Sequence, residues 1–260
     1  MSGSSRVLAA SVSKGENELM ATVALRRATR DDGACAHEIE TATGGAELLA
    51  CPTGVAYLAA SRTLLVADLH LEKGSSFARR GLMLPPHDTG LTLERLGASI
   101  ARWKPAQVVA LGDSFHDADG PARMALPDRR LLAGLQKGRE WVWVTGNHDP
   151  LDADAPLDGE VTDEMVLDGL TLRHEPQVGA ASEIAGHLHP KAAIVTGGRR
   201  IRRSCFAADA TRMILPSFGI YTGGLSVLHG AFDGLFRGRR FHALMRGDAQ
   251  VFKIAGTRLC

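Results

Sequence analysis

The chain has 260 residues, 45 % of them hydrophobic and 23 % charged, with a formal net charge of +1 at pH 7. This composition provides for a sizeable core and excludes low-complexity and collagen-like chains. It also excludes a globally basic nucleic-acid binder, so affinity for a polyanion has to come from local clustering. Cys35, Cys51, Cys205 and Cys260 form no CxxC pair, which points to free thiols in a reducing compartment. No apolar run approaches the roughly 18 residues a membrane helix needs. No apolar signal core is visible near the start, so a cytoplasmic location is expected.

Residues 1–34, rich in Ser, Ala and Arg, read as a disordered N-terminal extension, and residues 35–260 as one domain. From Ala36, "HEIETATGGAELLAC" and "TGVAYLAASRTLLVAD" read as short strands, with turns expected at Gly44-Gly45, Pro52–Gly54 and Ser61-Arg62. The segment "HDTGLTLERLGASIARW" places Leu91, Leu96, Ile100 and Trp103 at helical spacing before Pro105. "QVVAL" (107–111) is a short apolar strand, "DRRLLAGLQKG" (128–138) a helix and "WVWV" (141–144) another strand. Strand, helix, strand, helix, strand implies a parallel sheet flanked by helices. Beyond it, "EMVLDGLTLRH", "SEIAGHLH", "KAAIVTGG", "RRSCFAA", "RMILPSFG" and "DAQVFKIA" are short β-type runs with little helix between them. The expected architecture is α/β, a two-sheet β-sandwich flanked by helices.

Three core strands end alike: Asp68-Leu-His70, Gly112-Asp113-Ser-Phe-His116 and Gly146-Asn147-His148-Asp149. In α/β sheets, ligands bind beyond the carboxyl ends of the strands. A buried carboxylate costs several kcal/mol unless it is paired. Asp68 and His70, two apart, would project from one face of an extended strand. Asp113 has two oxygens and can bridge two ions, and Asn147 adds a neutral oxygen. His174, His187 and His189 complete a set with no thiolate, suited to manganese, iron or zinc. Cations would compensate the carboxylates and keep the histidines neutral. Singly, each residue has a plainer role: a strand-end histidine is commonly a hydrogen-bonded structural residue, and "GD" and "GN" are common turn dipeptides.

The ordered series DLH, GDSFH, GNHD, a later His and GHLH resembles the signature of the calcineurin-like metallophosphoesterases. That resemblance implies a four-layer α/β/β/α fold. It implies Asp68, His70 and His189 on one metal, Asn147, His174 and His187 on the other, and Asp113 between them. His148 would face the substrate phosphate as a catalytic residue, with Asp149 as its acidic partner. "VADLHLEKG", "RRGLMLPPHDT" and "ILPSFGIYTGGL" further resemble the PdeM-type, ligase-associated DNA damage response endonucleases.

Two metals about 3.5–4 Å apart can clamp a phosphodiester and activate a water. The expected activity is therefore a phosphodiesterase or endonuclease acting on DNA during repair, with manganese the first choice of metal. DNA is the expected partner, with repair ligase and helicase proteins beside it and no membrane. The segment "YTGG" (221–224) is a candidate contact for a homodimer. Lys73, Arg79, Arg80 and His116 are candidate substrate contacts, and "RRIRR" (199–203) is either a phosphate-binding run or a solvated basic face. Phe77 and Phe115 read first as packing residues, with base stacking as the rival. Two other functions compete: a small-molecule or nucleotide phosphatase or phosphodiesterase, and a non-catalytic scaffold of the same fold.

Overall fold

The computed structural model describes residues 16, 20, 33–42, 44–85, 87–148 and 157–260. Most of the expected N-terminal extension, and Asp149, lie outside the described residues. The strands are β1 (Cys35–Thr41), β2 (Gly44–Ala50), β3 (Ala56–Leu58), β4 (Thr63–Val66), β5 (Gln107–Leu111), β6 (Glu140–Val144) and β7 (Glu160–Thr162), followed by β8 (Glu164–Leu167), β9 (Leu170–Arg173), β10 (Glu183–Ala185), β11 (Lys191–Thr196), β12 (Arg199–Ala208), β13 (Arg212–Ile214), β14 (His242–Arg246) and β15 (Val251–Ala255). The helices used below are α1 (Lys73–Arg79), α2 (Asp88–Trp103), α3 (Gly120–Arg123) and α4 (Leu126–Gln136).

One sheet runs β1-β2-β3-β4-β5-β6-β7 and the other β15-β14-β12-β13-β10-β9-β8, with β11 paired to β12. The first is antiparallel from β1 to β4 and parallel from β4 to β7. The parallel expectation therefore holds for β4 to β7. Gly44-Gly45 is not a turn: Gly45 pairs with Glu40 and Gly44 with Thr41, so both glycines open the return strand.

The apolar runs read as continuous because the central strands are buried on both faces. Leu65, Val109, Val142 and Val144 face the second sheet and meet Leu172, Ile184, Phe206, Met213 and Leu244 there. Their strand neighbours Leu64, Val66, Val108, Trp141 and Trp143 point the other way, onto Leu93, Leu96 and Ile100 of α2 and Leu132 of α4. Helix α2 turns its apolar stripe inward and is stopped at Lys104, before Pro105. The outer face of the second sheet has its own apolar cluster, including Ile194, Cys205, Met245 and Phe252, on which Met20, Phe232 and Phe236 pack. The result is an α/β sandwich that holds the carboxyl ends of β4, β5, β6, β9 and β10 at one rim. None of the four cysteines is in a disulfide among the described residues, and three of them are buried.

Candidate metal centre

Each strand hands its polar residues to a tight loop at that rim. Asp68 and His70 do not lie on an extended strand: β4 ends at Val66, and both residues take left-handed backbone, φ 54° and 43°. Asp113 (φ 46°), His187 (φ 67°) and His189 (φ 46°) do the same. Non-glycine residues rarely adopt this conformation, and it concentrates at functional sites held by surrounding structure. Here loop-to-loop hydrogen bonds hold it: the amides of Asp68 and His70 donate to the carbonyls of Gly112 and Asp113, and Gly219 donates to the Asp68 carbonyl. The glycines of the motifs make room. A Cβ on Gly112 would lie 2.2 Å from His174 Nδ1, and one on Gly186 2.8 Å from Asp68 Oδ2.

The side chains converge in two groups. Asp68, His70 and His189 form one, and Asp113, His174 and His187 the other. Asp68 is fully buried, Asp113 and His174 nearly so. In the second group Asn147 Oδ1 stands 3.0 Å from His174 Nε2 and 3.0 Å from His187 Nδ1, which are themselves 3.1 Å apart. His174 Nδ1 donates to the Leu111 carbonyl at 3.0 Å, so Nε2 carries the lone pair in the neutral ring. Asp113 Oδ1 lies 3.4 Å from that nitrogen. In the first group His189 Nε2 is 3.2 Å from Asp68 Oδ1 and 3.4 Å from His70 Nε2. Asp113 Oδ2 reaches to 3.8 Å from His70 Nε2, so its two oxygens address the two groups separately.

Acceptors facing acceptors at van der Waals range repel unless a cation lies among them. This donor set fits divalent metal. Burial, with His189 and Lys73 adding to it, pushes His70 down to about 2, and burial followed by His174 lowers His187. Neutral imidazoles are the ligand form.

All seven expected ligands thus meet. His148 stands beside them without joining either group: its backbone amide donates to Asp113 Oδ1 at 2.9 Å, while its exposed ring stacks on His116 at 5.5 Å. His116 is depressed to about 4 by burial, then by Lys73 and His148. Lys73 opens α1, its ammonium 5.8 Å from the Phe77 ring, and Phe77 in turn flanks His116. Arg80 also lies over Phe77, whereas Arg79 pairs with Asp119 at 2.9 Å. Phe115 is fully buried and packs near Trp143, which removes it from base stacking. Within 199–203, Arg202 and Arg203 border a cleft next to His189, while Arg200 turns to the Cys260 carbonyl. Arg95, Lys191 and Arg246 line the same cleft. They stand outside every motif, and no pattern in the sequence marks them.

Comparison with solved structures identifies the family. The crystal structure of the Pseudomonas putida nuclease MPE matches 84 % of this chain and 100 % of its own, at 31 % identity and a TM-score of 0.64. The chain belongs to the metallophosphoesterase superfamily. The E. coli phosphoesterase Yfce matches 74 % of this chain and 98 % of its own at 16 % identity and a TM-score of 0.36. No family model and no curated protein matches. The metallophosphoesterase assignment agrees with the two side-chain groups, each of which could hold one ion of a dinuclear centre. Among the described residues no helix is long and apolar enough to cross a membrane.

Proposed function

We propose that this metallophosphoesterase hydrolyses phosphodiester bonds in DNA, with manganese as its working metal, and that it serves DNA repair as an endonuclease of the PdeM type. The observation that carries the reading is the paired ligand set with Asp113 between its halves and the His148 ring alongside. The likeness to a Pseudomonas putida nuclease over most of the chain supports the choice of substrate.

When bound, two divalent ions polarise the phosphoryl oxygens and supply a nucleophile from water. The His148 amide holds Asp113 between the two groups, where it would serve both ions, and the His187 amide donates to both Asp68 oxygens at 3.2 and 3.1 Å. His148 presents its ring to the open side of the centre, where it can give a proton to the departing alkoxide or a hydrogen bond to a phosphate oxygen. His116 stacks on that ring and orients it. Lys73 adds positive charge at the rim beside α1.

A nicking assay with manganese on single-stranded and duplex DNA, run across a salt series, tests the reading. Cleavage that weakens steeply with salt is expected. Turnover of a chromogenic diester with no DNA cut at any salt would replace it with a small-molecule phosphodiesterase.

A further inference from the structure

A cleft of ≈ 580 Å³ opens beside the metal centre, and His189 forms part of its wall. That volume lies within the ~300–1,000 Å³ typical of ligand sites. Arg95, Arg246, Lys191, Arg202 and Arg203 line it, and among the described residues no aspartate or glutamate does. Arg203 is paired with Glu16. Arg95 and Arg246 are different: both are half-buried, and neither forms an ion pair among the described residues. Arg246 donates to the Pro52 and Thr53 carbonyls and to Ser204 Oγ, at 2.7, 2.9 and 3.1 Å. Arg95 donates to the Thr53 carbonyl at 2.9 Å, lies 4.0 Å over the Phe218 ring, and keeps a buried Nε without a partner.

Neutral carbonyls orient these two guanidiniums but do not neutralise them. Burial draws Arg95 down to about 10 and Arg246 to about 9, with the Arg95 charge adding to the fall at Arg246. Both stay cationic at neutral pH, so two like charges are held together under partial desolvation. Lys191 and Arg202, at the mouth, extend the positive field. Such an arrangement costs free energy unless an anion comes to it. The guanidinium fork matches phosphate oxygens. The floor is tied to the centre itself, because Ser217, another lining residue, donates its hydroxyl to the Asp68 carbonyl at 3.3 Å.

We propose that this cleft is an anion subsite for a phosphodiester next to the one being cut, so that the metal centre engages its substrate as one link of a polynucleotide strand. The proposal rests on the nuclease reading above and adds a route for the strand: away from the centre past His189, between Arg95 and Arg246 on one side and Lys191 and Arg202 on the other.

The test compares the full-length parent with Arg95→Gln and with the double variant Lys191→Ala and Arg202→Ala, whose side chains are partly or fully exposed and leave the core intact. Two quantities are read. One is the ratio of kcat/KM on a single-stranded oligothymidylate to kcat/KM on a chromogenic diester carrying one phosphate. The other is fluorescence anisotropy of the labelled oligothymidylate on chelator-treated protein, where nothing is cut. Each variant should lower the ratio by about tenfold. It should weaken anisotropy binding comparably and make the salt dependence shallower by about one unit for each phosphate no longer neutralised. A ratio and an anisotropy curve both matching the parent's would overturn the subsite. If the parent cuts the diester and no DNA, the nuclease reading fails, and anisotropy alone then decides the subsite. Release of the strand by micromolar inorganic phosphate would assign the cleft to a free anion and overturn the strand path.

Discussion

Two polar clusters are buried in this protein, and they are opposites. In the second sheet, Arg212 of β13 and Glu183 of β10 lie 2.9 Å apart, each almost fully buried. Arg212 also donates through its two terminal nitrogens to the Gln177 and Ala180 carbonyls, leaving only its Nε without a partner among the described residues, and Glu183 also accepts from the Gln177 amide at 3.0 Å. Every charge there has its complement, and the cluster pins the 177–183 loop to the sheet. At the rim of the first sheet, oxygens and lone-pair nitrogens face one another at 3.0–3.4 Å, and beside them two guanidiniums share one carbonyl acceptor at Thr53. A self-satisfied cluster serves the fold, whereas an unbalanced one implies a missing partner. Cations would balance the metal centre and an anion the adjoining cleft, which fits the metal-assisted cleavage of a polyanion proposed above.

The sharpest way to break that contrast is to remove the shared ligand. Asp113→Ala should leave a folded protein that binds less metal and has lost activity by at least about 10⁴-fold, since the change takes a ligand from both groups. Metal analysis of the purified variant alongside turnover checks this. Full metal content would show that Asp113 is not between the two sites. His148→Ala is the companion. Its amide still holds Asp113, so metal content should match the parent's while turnover falls roughly 10²–10³-fold, as for loss of a proton donor. Undiminished turnover would remove His148 from the reaction.

The fold cluster should respond in the reverse sense. Burial pushes the Glu183 carboxyl above its ordinary range, against the pull of the Gln177 amide and then of Arg212 and Arg173. Glu183→Gln leaves the Arg212 guanidinium buried with only neutral partners. The expected loss is about 3–5 kcal/mol of stability, or on the order of 10 °C in Tm. Metal bound per folded molecule should stay at the parent's level. A variant that keeps its Tm but loses metal would merge the two clusters into one network.

The candidate ligands were legible because metal chemistry restricts residue type and the fold restricts place: oxygen and imidazole donors in the loops that follow the strands. The central strands were legible because burial on both faces leaves unbroken apolar runs. Three features had no such mark. The left-handed backbone at Asp68 and His70 arises from loops packed against one another across more than 40 residues of sequence, so the alternation of an extended strand was the wrong guide. Helix α1 carries Gly74, Ser75 and Ser76 in its first turns and has no long apolar stripe. Arg95 reads as one more solvated helix residue and Arg246 as a strand-end cation; only the fold brings them together, through their shared acceptor at Thr53.

His37 provides the finest discrimination, because it is a buried histidine that belongs to neither kind of cluster. Its Nε2 donates to the Asp209 carbonyl at 2.7 Å, and neither metal-ligand group found among the described residues includes it. Burial depresses its pKa, the Asp209 hydrogen bond opposes that, and Lys253 adds to the depression. His242 is depressed as well, by burial first and then by Lys253 and His37. The unfolded chain, with histidine near 6.5, therefore takes up a proton before the folded chain does. Stability is fully present above about pH 6.5 and falls as the pH drops toward the folded value. His37→Gln keeps a donor for Asp209 and has no ring to protonate. Its stability should decline less with acid than the parent's, in denaturant titrations below about pH 6.5. Because His37 lies outside both ligand groups, the difference between parent and variant should be the same with manganese or with chelator. A difference that depended on manganese would place His37 in the network of the metal centre and blur the line between histidines that fold this chain and histidines that work in it.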